Sequence, residues 1–343
     1  MTRIDEFDYE LPTERIAQTP LADRSASKLL IDRGSRAAEH RTVAELDQIL
    51  QPGDLLVVND TKVLAARLFA RRPTGGRTEV LLLEPVGPAA VALQSDVSEW
   101  EVLVKPSKKV APGTALTFDD EPDLHITIGE DLGEGRRRAR IESSSLETAL
   151  LRAGEMPLPP YITETLADPA RYQTIYANEP GSAAAPTAGL HLTDDLFGRL
   201  AAQDIGLARV ELVVGLDTFR PVSVERLDEH QMHSERYRVP HETMAALETA
   251  RRVVAVGTTT VRALESAARF GPEGGTDLFI RRPFEFGVVD LVMTNFHMPK
   301  STLLVMIDAL VGPRWRALYA EALTSDYRFL SFGDAMLLDR TAP

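Results

Sequence analysis

The run Val288-Val289-Asp290-Leu291-Val292-Met293, the polar loop Thr294-Asn295-Phe296-His297-Met298-Pro299-Lys300 and the apolar run from Leu303 to Val311 together leave few folds open to this chain. They read as strand, loop and buried helix: Pro299 disfavours helix at Met298, Ser301 suits an N-cap, and Gly312 suits the stop. The same grammar recurs. Asp54-Leu55-Leu56-Val57-Val58 runs into Asn59-Asp60-Thr61-Lys62, Val210-Glu211-Leu212-Val213-Val214 into Gly215, and Val253-Val254-Ala255-Val256 into Gly257-Thr258-Thr259-Thr260-Val261-Arg262. Alternation of this kind predicts an α/β domain. A loop at the carboxyl end of a strand, opening a helix whose free amides favour anions, is a common ligand position in such domains. Asn295, His297, Lys300, Ser301 and Thr302 therefore point toward a pocket; the plainer alternative is that they cap a helix and complete a turn. The turn from Gly257 to Arg262 offers threonine hydroxyls, helix amides and a planar cation, which suits a carboxylate or phosphate. It matches neither the phosphate-binding loop nor the dinucleotide fingerprint.

Between Arg67 and about Arg140 the texture changes. Val80–Leu83, Trp100–Val104, Thr114–Phe118 and Leu124–Ile128 are short strand-like runs parted by Gly, Pro and Asp, which predicts an inserted all-β module. Pro88 to Ser98 reads as a loose loop. Thr42-Val43-Ala44-Glu45 is a capping box, Ser144-Ser145-Leu146-Glu147 starts a helix that Gly154 stops, and Pro12 to Ala17 reads as a short capped helix. The proline-rich Met156-Pro157-Leu158-Pro159-Pro160-Tyr161 reads as the linker back to the first domain. Residues 171–192 form a long polar, small-residue stretch without a regular pattern, of a kind more often functional or disordered than idle packing, and Gly206 reads as the stop of the helix that follows it.

With 343 residues the chain has room for two domains, and it contains no cysteine, so disulfides, thiolate metal sites and a cysteine nucleophile are excluded. No apolar run spans a bilayer and the charged N-terminus lacks a signal-peptide core, so a cytoplasmic location is expected. A net charge of −13 argues against indiscriminate nucleic-acid binding but leaves room for a local patch. Lys62, Arg67, Arg71, Arg72 and Arg77 face the single acid Glu79 between residues 61 and 80, and Lys105, Lys108 and Lys109 follow. Of the seven histidines, His230 and His233 could join His191 or His297 around a metal, but their spacing specifies no site, and no metal is expected.

Taken together, these segments resemble the S-adenosylmethionine:tRNA ribosyltransferase-isomerase family of queuosine biosynthesis. The resemblance runs through Phe7-Asp8-Tyr9-Glu10-Leu11-Pro12, the block from Pro52-Gly53-Asp54 to Arg67, Met156 to Ile162, Ala184-Ala185-Pro186-Thr187-Ala188-Gly189-Leu190-His191, Met232-His233-Ser234-Glu235, Thr294 to Leu304 and Tyr327-Arg328-Phe329 to Gly333-Asp334-Ala335-Met336. It implies a larger α/β domain with a barrel-like sheet at residues 1–66 and 155–343, and a smaller β-barrel inserted at 67–154. It also implies a monomeric cytoplasmic enzyme without metal or cofactor, S-adenosylmethionine being a substrate and tRNA the partner. The implied reaction moves and isomerises the ribosyl part of S-adenosylmethionine onto 7-aminomethyl-7-deazaguanine in tRNA, giving epoxyqueuosine, adenine and methionine. Under this resemblance His191, His233, Glu235 and His297 are the candidates for proton transfer. Arg262 and the turn containing Thr258 and Thr260 would hold the methionine carboxylate. Asn59, Asp60, Arg67, Thr187, Gly189, Gly215, Thr218, Asn295, Lys300, Ser301 and Thr302 would bind or orient substrate. Lys62, Arg71, Arg72, Arg77, Lys105, Lys108 and Lys109 would face the tRNA.

The chain departs from the family pattern at Leu192, Val213, Asp217 and Arg282, expected beside the pocket. Two other readings stay open on that account: a diverged enzyme that uses S-adenosylmethionine with a different acceptor, and a non-catalytic tRNA-binding protein.

Overall fold

Aliphatic runs closed by polar turns become the strands of one large sheet, and a separate set of shorter, alternating strands closes into a barrel. The computed structural model describes residues 2–133, 135–215, 222 and 224–342. In chain order the strands are β1 (Lys28–Ile31), β2 (Glu39–Thr42), β3 (Asp54–Asn59), β4 (Thr61–Val63), β5 (Arg67–Arg71), β6 (Arg77–Pro85), β7 (Val97–Lys105), β8 (Ala115–Thr117), β9 (His125–Gly133), β10 (Arg136–Glu142), β11 (Glu179–Ser182), β12 (Gly206–Leu212), β13 (Glu235–Arg238), β14 (Arg252–Val256), β15 (Glu273–Thr276), β16 (Leu291–Asn295) and β17 (Ala335–Asp339). The helices are α1 (Leu46–Ile49), α2 (Ala89–Gln94), α3 (Leu146–Ala153), α4 (Asp194–Ala202), α5 (His241–Thr249), α6 (Thr258–Phe270), α7 (Thr302–Val311) and α8 (Trp315–Thr324).

The chain divides into two compact units, Met1–Asp60 with Pro159–Ala177 and Pro186–Pro343, and Thr61–Leu158 with Asn178–Ala185. Residues 178–185 join the smaller unit because β11 pairs with β4 in a parallel two-stranded sheet. In the larger unit the described residues form a nine-stranded sheet ordered β15-β13-β12-β3-β14-β16-β17-β1-β2. That order has two ends, so the barrel-like closure expected of this sheet is absent from the described strands. Closure belongs to the smaller unit, where β10-β7-β6-β5-β8-β9 form a barrel of antiparallel pairs.

The core follows from the sequence grammar. All of β3 and β16 is buried, as parallel-type strands covered on both faces require. Leu56, Val58, Val254, Val256 and Met293 pack with Leu192, Leu196 and Leu200 in one apolar cluster, each fully buried side chain contributing about 1.5–3 kcal/mol. Ser301 caps α7 by accepting from the Leu304 amide at 3.2 Å, and Gly312 closes that helix with φ of 65°. The box at Thr42 and Glu45 also forms, and Ser145 caps α3 by accepting from the Thr148 amide.

Other expectations give way. Pro88 to Ser98 is not a loose loop, since α2 follows directly on Pro88, burying Ala89, Ala92 and Leu93. Pro12 to Ala17 makes a 3-10 turn, Thr13–Arg15. Residues 171–192 are ordered as the end of a 3-10 turn (Pro169–Tyr172), β11 and a second turn (Thr187–His191), their small residues allowing close packing. Helix α4 ends at Ala202, before Gly206, which opens β12.

Candidate active site

Sheet order gathers the site on one edge of the larger unit. Strands β3, β14 and β16 are parallel, so their carboxyl ends, Asn59, Val256 and Asn295, lie on the same side. Strand β17 runs antiparallel to β16 and sets Ala335 opposite Asn295, while β1, parallel to β17, sets Leu29 beside Ala335. The residues just before those strands, Asp334 and Ser27, therefore reach the same edge. The turn Thr187–His191 completes it.

At its centre is His191, which is 4% exposed. Its Nδ1 meets Ser27 Oγ at 3.0 Å, and its Nε2 receives Asn295 Nδ2 at 3.1 Å. The Asn295 Oδ1 accepts from the Thr187 hydroxyl at 3.0 Å, and its Nδ2 also reaches the Asp334 carbonyl at 3.3 Å. An amide nitrogen can only donate, so Nε2 presents its lone pair and the proton resides on Nδ1. The Asp334 carboxylate is used elsewhere, accepting from the amides of Lys28 at 3.0 Å and Arg328 at 2.8 Å. Burial, reinforced by the positive charges of Arg328 and Arg24, pushes His191 down to about 4. The result is a neutral imidazole in a frame of neutral donors and acceptors.

Gly189, in the same turn, is a contact glycine. A Cβ there would stand 1.8 Å from the Tyr176 hydroxyl, which is itself buried and takes no hydrogen bond among the described residues. Asp60 is buried, and its charge, after burial, holds Tyr176 protonated.

Other residues expected at the site make bonds within the fold. The Asn59 side chain bonds both backbone groups of Leu212, at 3.0 and 3.1 Å, and so ties β3 to β12. Glu235 and Arg262 form a buried ion pair; Glu235 also accepts from the Gly215 amide at 3.1 Å, and Arg262 also donates to the Thr276 carbonyl at 3.0 Å. Arg262 is thus not the open fork for a substrate carboxylate that its loop predicts. Thr260 bonds back to Val256 O at 2.7 Å, and Thr258 is buried at the start of α6. His297 is buried: its amide donates to Tyr319 Oη at 3.0 Å, its carbonyl accepts from Tyr9 Oη at 2.5 Å, and Nε2 meets Thr294 Oγ1 at 3.3 Å. Burial pushes its ring down to about 3. Lys300 pairs with Asp5 and Asp8, each at 3.0 Å, and Ser301 caps α7. Thr302 is the first residue of α7 and half-buried. His233 is exposed, and its carbonyl faces Arg262 at 3.5 Å. Thr218 and Asp217 lie outside the described residues. Among the departures, Leu192 is a core residue and Arg282 makes a bidentate pair with Asp308 at 2.5 and 3.0 Å, so neither adds a free polar group. Val213 donates its amide to Arg236 O at 2.9 Å. Among the described residues no three His, Asp or Glu side chains are gathered as a metal would need.

The smaller unit carries the basic residues. Arg71 stands opposite Arg77 across the β5–β6 hairpin and pairs with Asp119 at 2.6 Å. Arg72 reaches the Lys109 carbonyl at 3.4 Å and so joins the hairpin tip to the segment holding Lys105, Lys108 and Lys109. Lys62, Arg77, Lys105, Lys108 and Lys109 are exposed and form no ion pair among the described residues. Arg67 is also a barrel residue, 3.3 Å from Glu79. Phe69, between Arg67 and Arg71 on the outer face of β5, is 46% exposed.

Sequence reasoning does not single out Ser27, Arg24, Arg171, Tyr176 or Phe69. Only the outward alternation of β5 could have exposed Phe69; the others reach their places through sheet order.

A family model described as queuosine biosynthesis protein matches residues 4–338. The chain is 49% identical over 339 residues to a protein of Rubrobacter xylanophilus named S-adenosylmethionine:tRNA ribosyltransferase-isomerase, covering 98% of this chain and 97% of that one. A protein of Symbiobacterium thermophilum with the same name is 49% identical over 350 residues, covering 98% and 99%. Among solved structures, one described as S-adenosylmethionine tRNA ribosyltransferase from Thermotoga maritima aligns with a TM-score of 0.54 and 37% identity, covering 97% of this chain and 99% of that one.

Proposed function

We propose that this chain, which belongs to the queuosine biosynthesis protein family, is an S-adenosylmethionine:tRNA ribosyltransferase-isomerase. It transfers and isomerises the ribosyl part of S-adenosylmethionine onto 7-aminomethyl-7-deazaguanine in tRNA and releases adenine and methionine, leaving epoxyqueuosine. The observation that carries this reading is 49% identity across 98% of the chain to proteins of that name. S-adenosylmethionine is consumed, and the chemistry asks for no separate cofactor. The reading extends to a cytoplasmic monomer; among the described residues no helix is long and apolar enough to cross a membrane.

The reaction is mostly proton management. A sulfonium acidifies the 5′ carbon bonded to it, so a neutral acceptor can take a proton there. Adenine leaves the ribose and gains a proton, the neutral amine attacks and loses one, and methionine departs with the sulfur bonding pair. Starting from a neutral amine, the lost sulfonium charge appears as one net proton in solvent. His191 fits the first acceptor: it is neutral across the physiological range, and Ser27 and Asn295 fix its tautomer. Accepting at Nε2 requires Asn295 to yield that lone pair. Thr187 positions Asn295 for this.

The basic residues Arg71, Arg72, Arg77, Lys105, Lys108 and Lys109, with Lys62, are the tRNA-facing group on this reading. Phe69 adds a ring on which a base can stack.

Incubation with S-adenosylmethionine and tRNA carrying the aminomethyl-deazaguanine, followed by adenine release and nucleoside mass, tests the assignment. Adenine together with epoxyqueuosine is expected. Bound tRNA without adenine would move the assignment to a non-catalytic binder, and adenine with another product to a different acceptor.

A further inference from the structure

Arg24 and Arg171 are neighbouring cations, and burial together with the charge of Arg171 holds Arg24 down. Arg24 donates Nη1 to the carbonyls of Gln173 and Leu190, at 3.0 and 3.2 Å, and Nη2 to that of Ala170 at 3.4 Å. Arg171 donates to the carbonyls of Leu21 and of Ala22, the latter at 3.2 Å. These bonds staple two segments together and occupy part of each fork, but a carbonyl satisfies a donor without cancelling a charge. Neither guanidinium forms an ion pair among the described residues. Asp168 acts on Arg24 only from a distance, its Oδ1 being taken by the Ala170 amide at 3.0 Å. The two arginines line the same recess as Ser27, Leu190, His191 and Ser331.

The other cations proposed for substrate are neutralised. Arg262 has Glu235, and Lys300 has Asp5 and Asp8. Arg328, which also acts on His191, has Asp334 at 3.6 Å. Among the described residues, Arg24 and Arg171 are the cations beside His191 that form no ion pair.

We propose that Arg24 and Arg171 form an oxyanion site in this recess, and that its occupant is the carboxylate at the amino-acid end of S-adenosylmethionine. The assignment rests on S-adenosylmethionine being the substrate. The sulfur stands two methylenes from the carbon bearing that carboxylate and is bonded directly to the 5′ carbon. A molecule anchored here by its carboxylate therefore carries its acidified 5′ carbon on a short tether from the recess that His191 lines. A phosphate of the tRNA backbone is the other source of the same chemistry.

The test compares S-adenosylmethionine with its decarboxylated analogue on wild type, Arg171→Lys, Arg171→Met and Arg24→Lys. Affinity is read by calorimetry without tRNA, and kcat/KM with tRNA. Because each protein is its own reference, a variant of lower stability still reports the ratio. Wild type is expected to prefer the carboxylate form by about 10- to 100-fold. In Arg171→Met that preference should collapse to about threefold or less, with the lysine variants between. An equal preference in wild type and Arg171→Met overturns the site, as does no preference in wild type. An unchanged preference with weaker tRNA binding and a shallower salt slope in Arg171→Met assigns the arginines to phosphate and also overturns it. A carboxylate preference lost in the variants, with no turnover of tRNA by wild type, upholds the site and removes the enzymatic reading instead.

Discussion

Asn295 gives its amide nitrogen to Nε2 of His191 at 3.1 Å and takes the Thr187 hydroxyl on its amide oxygen at 3.0 Å. One side chain thereby decides which imidazole nitrogen carries the proton. Replacing it with a group of opposite hydrogen-bonding sense should change the protonation of His191 more than the fold.

Asn295→Asp offers Nε2 a carboxylate, which favours the imidazolium and raises His191 from about 4. A base must be unprotonated to act, so the acid limb of kcat/KM should move to higher pH. Asn295→Ala should lower kcat by less than the ~10²–10⁴-fold that a general base supplies. A pH–rate profile of Asn295→Asp that superimposes on wild type would remove Asn295 from the account.

His191 and His297 also predict how stability depends on pH. Both are held below the ordinary value of 6.5, at about 4 and about 3. As pH falls through 6.5 the unfolded chain takes up protons that the folded chain refuses, so stability is full above that value and declines toward pH 4 and below. A shift to about 4 corresponds to roughly 3 kcal/mol for His191. Urea midpoints between about pH 7 and 4.5 should show the decline, with a smaller slope in His297→Gln. An unchanged slope in that variant would show that His297 is not the group being charged.

Glu235 and Arg262 are each almost fully buried, so removing either takes the ion-pair partner from a buried charge. Glu235→Leu and Arg262→Met should each cost about 3–5 kcal/mol, and the double variant far less than their sum. Additive losses in denaturant titrations would mean that the pair is not coupled.

Gly189→Ala puts a methyl where the Tyr176 hydroxyl stands, 1.8 Å away. Overpacking of this kind costs about 1–3 kcal/mol. Tyr176→Phe removes the obstructing oxygen and forfeits no hydrogen bond among the described residues, so it should restore part of the lost thermal stability. Failure of the rescue would place the strain elsewhere.

On the barrel, Arg77→Ala and Lys105→Ala should weaken tRNA binding and each flatten its salt dependence by about one counterion. Phe69→Ala should weaken it by about 1–3 kcal/mol with the slope unchanged, and Phe69→Trp should not. Filter binding at several salt concentrations separates the two contributions; a Phe69→Ala variant that binds like wild type would exclude stacking there.

The local grammar of this chain is legible because capping is a short-range matter: Ser301, Ser145 and the Thr42–Glu45 box act where their spacing places them. Sheet order is not short-range. Asp334 accepts from the amide of Lys28 across 306 residues, and no pattern within either segment announces that meeting. For the same reason Arg262 and Lys300 read as open cations, although Glu235, Asp5 and Asp8 close them. The likeness to a family pointed to His191; its tautomer and its neutrality come from Ser27, Asn295 and burial.

The most direct test of the central claim is exchange at the carbon that His191 is proposed to deprotonate. S-adenosylmethionine deuterated at the 5′ position is incubated with tRNA and enzyme, and the label remaining in product and recovered substrate is measured by mass. Wild type should lose label to solvent, and a folded His191→Gln should retain it while making little adenine. Loss of label at the wild-type rate in His191→Gln would contradict the assignment.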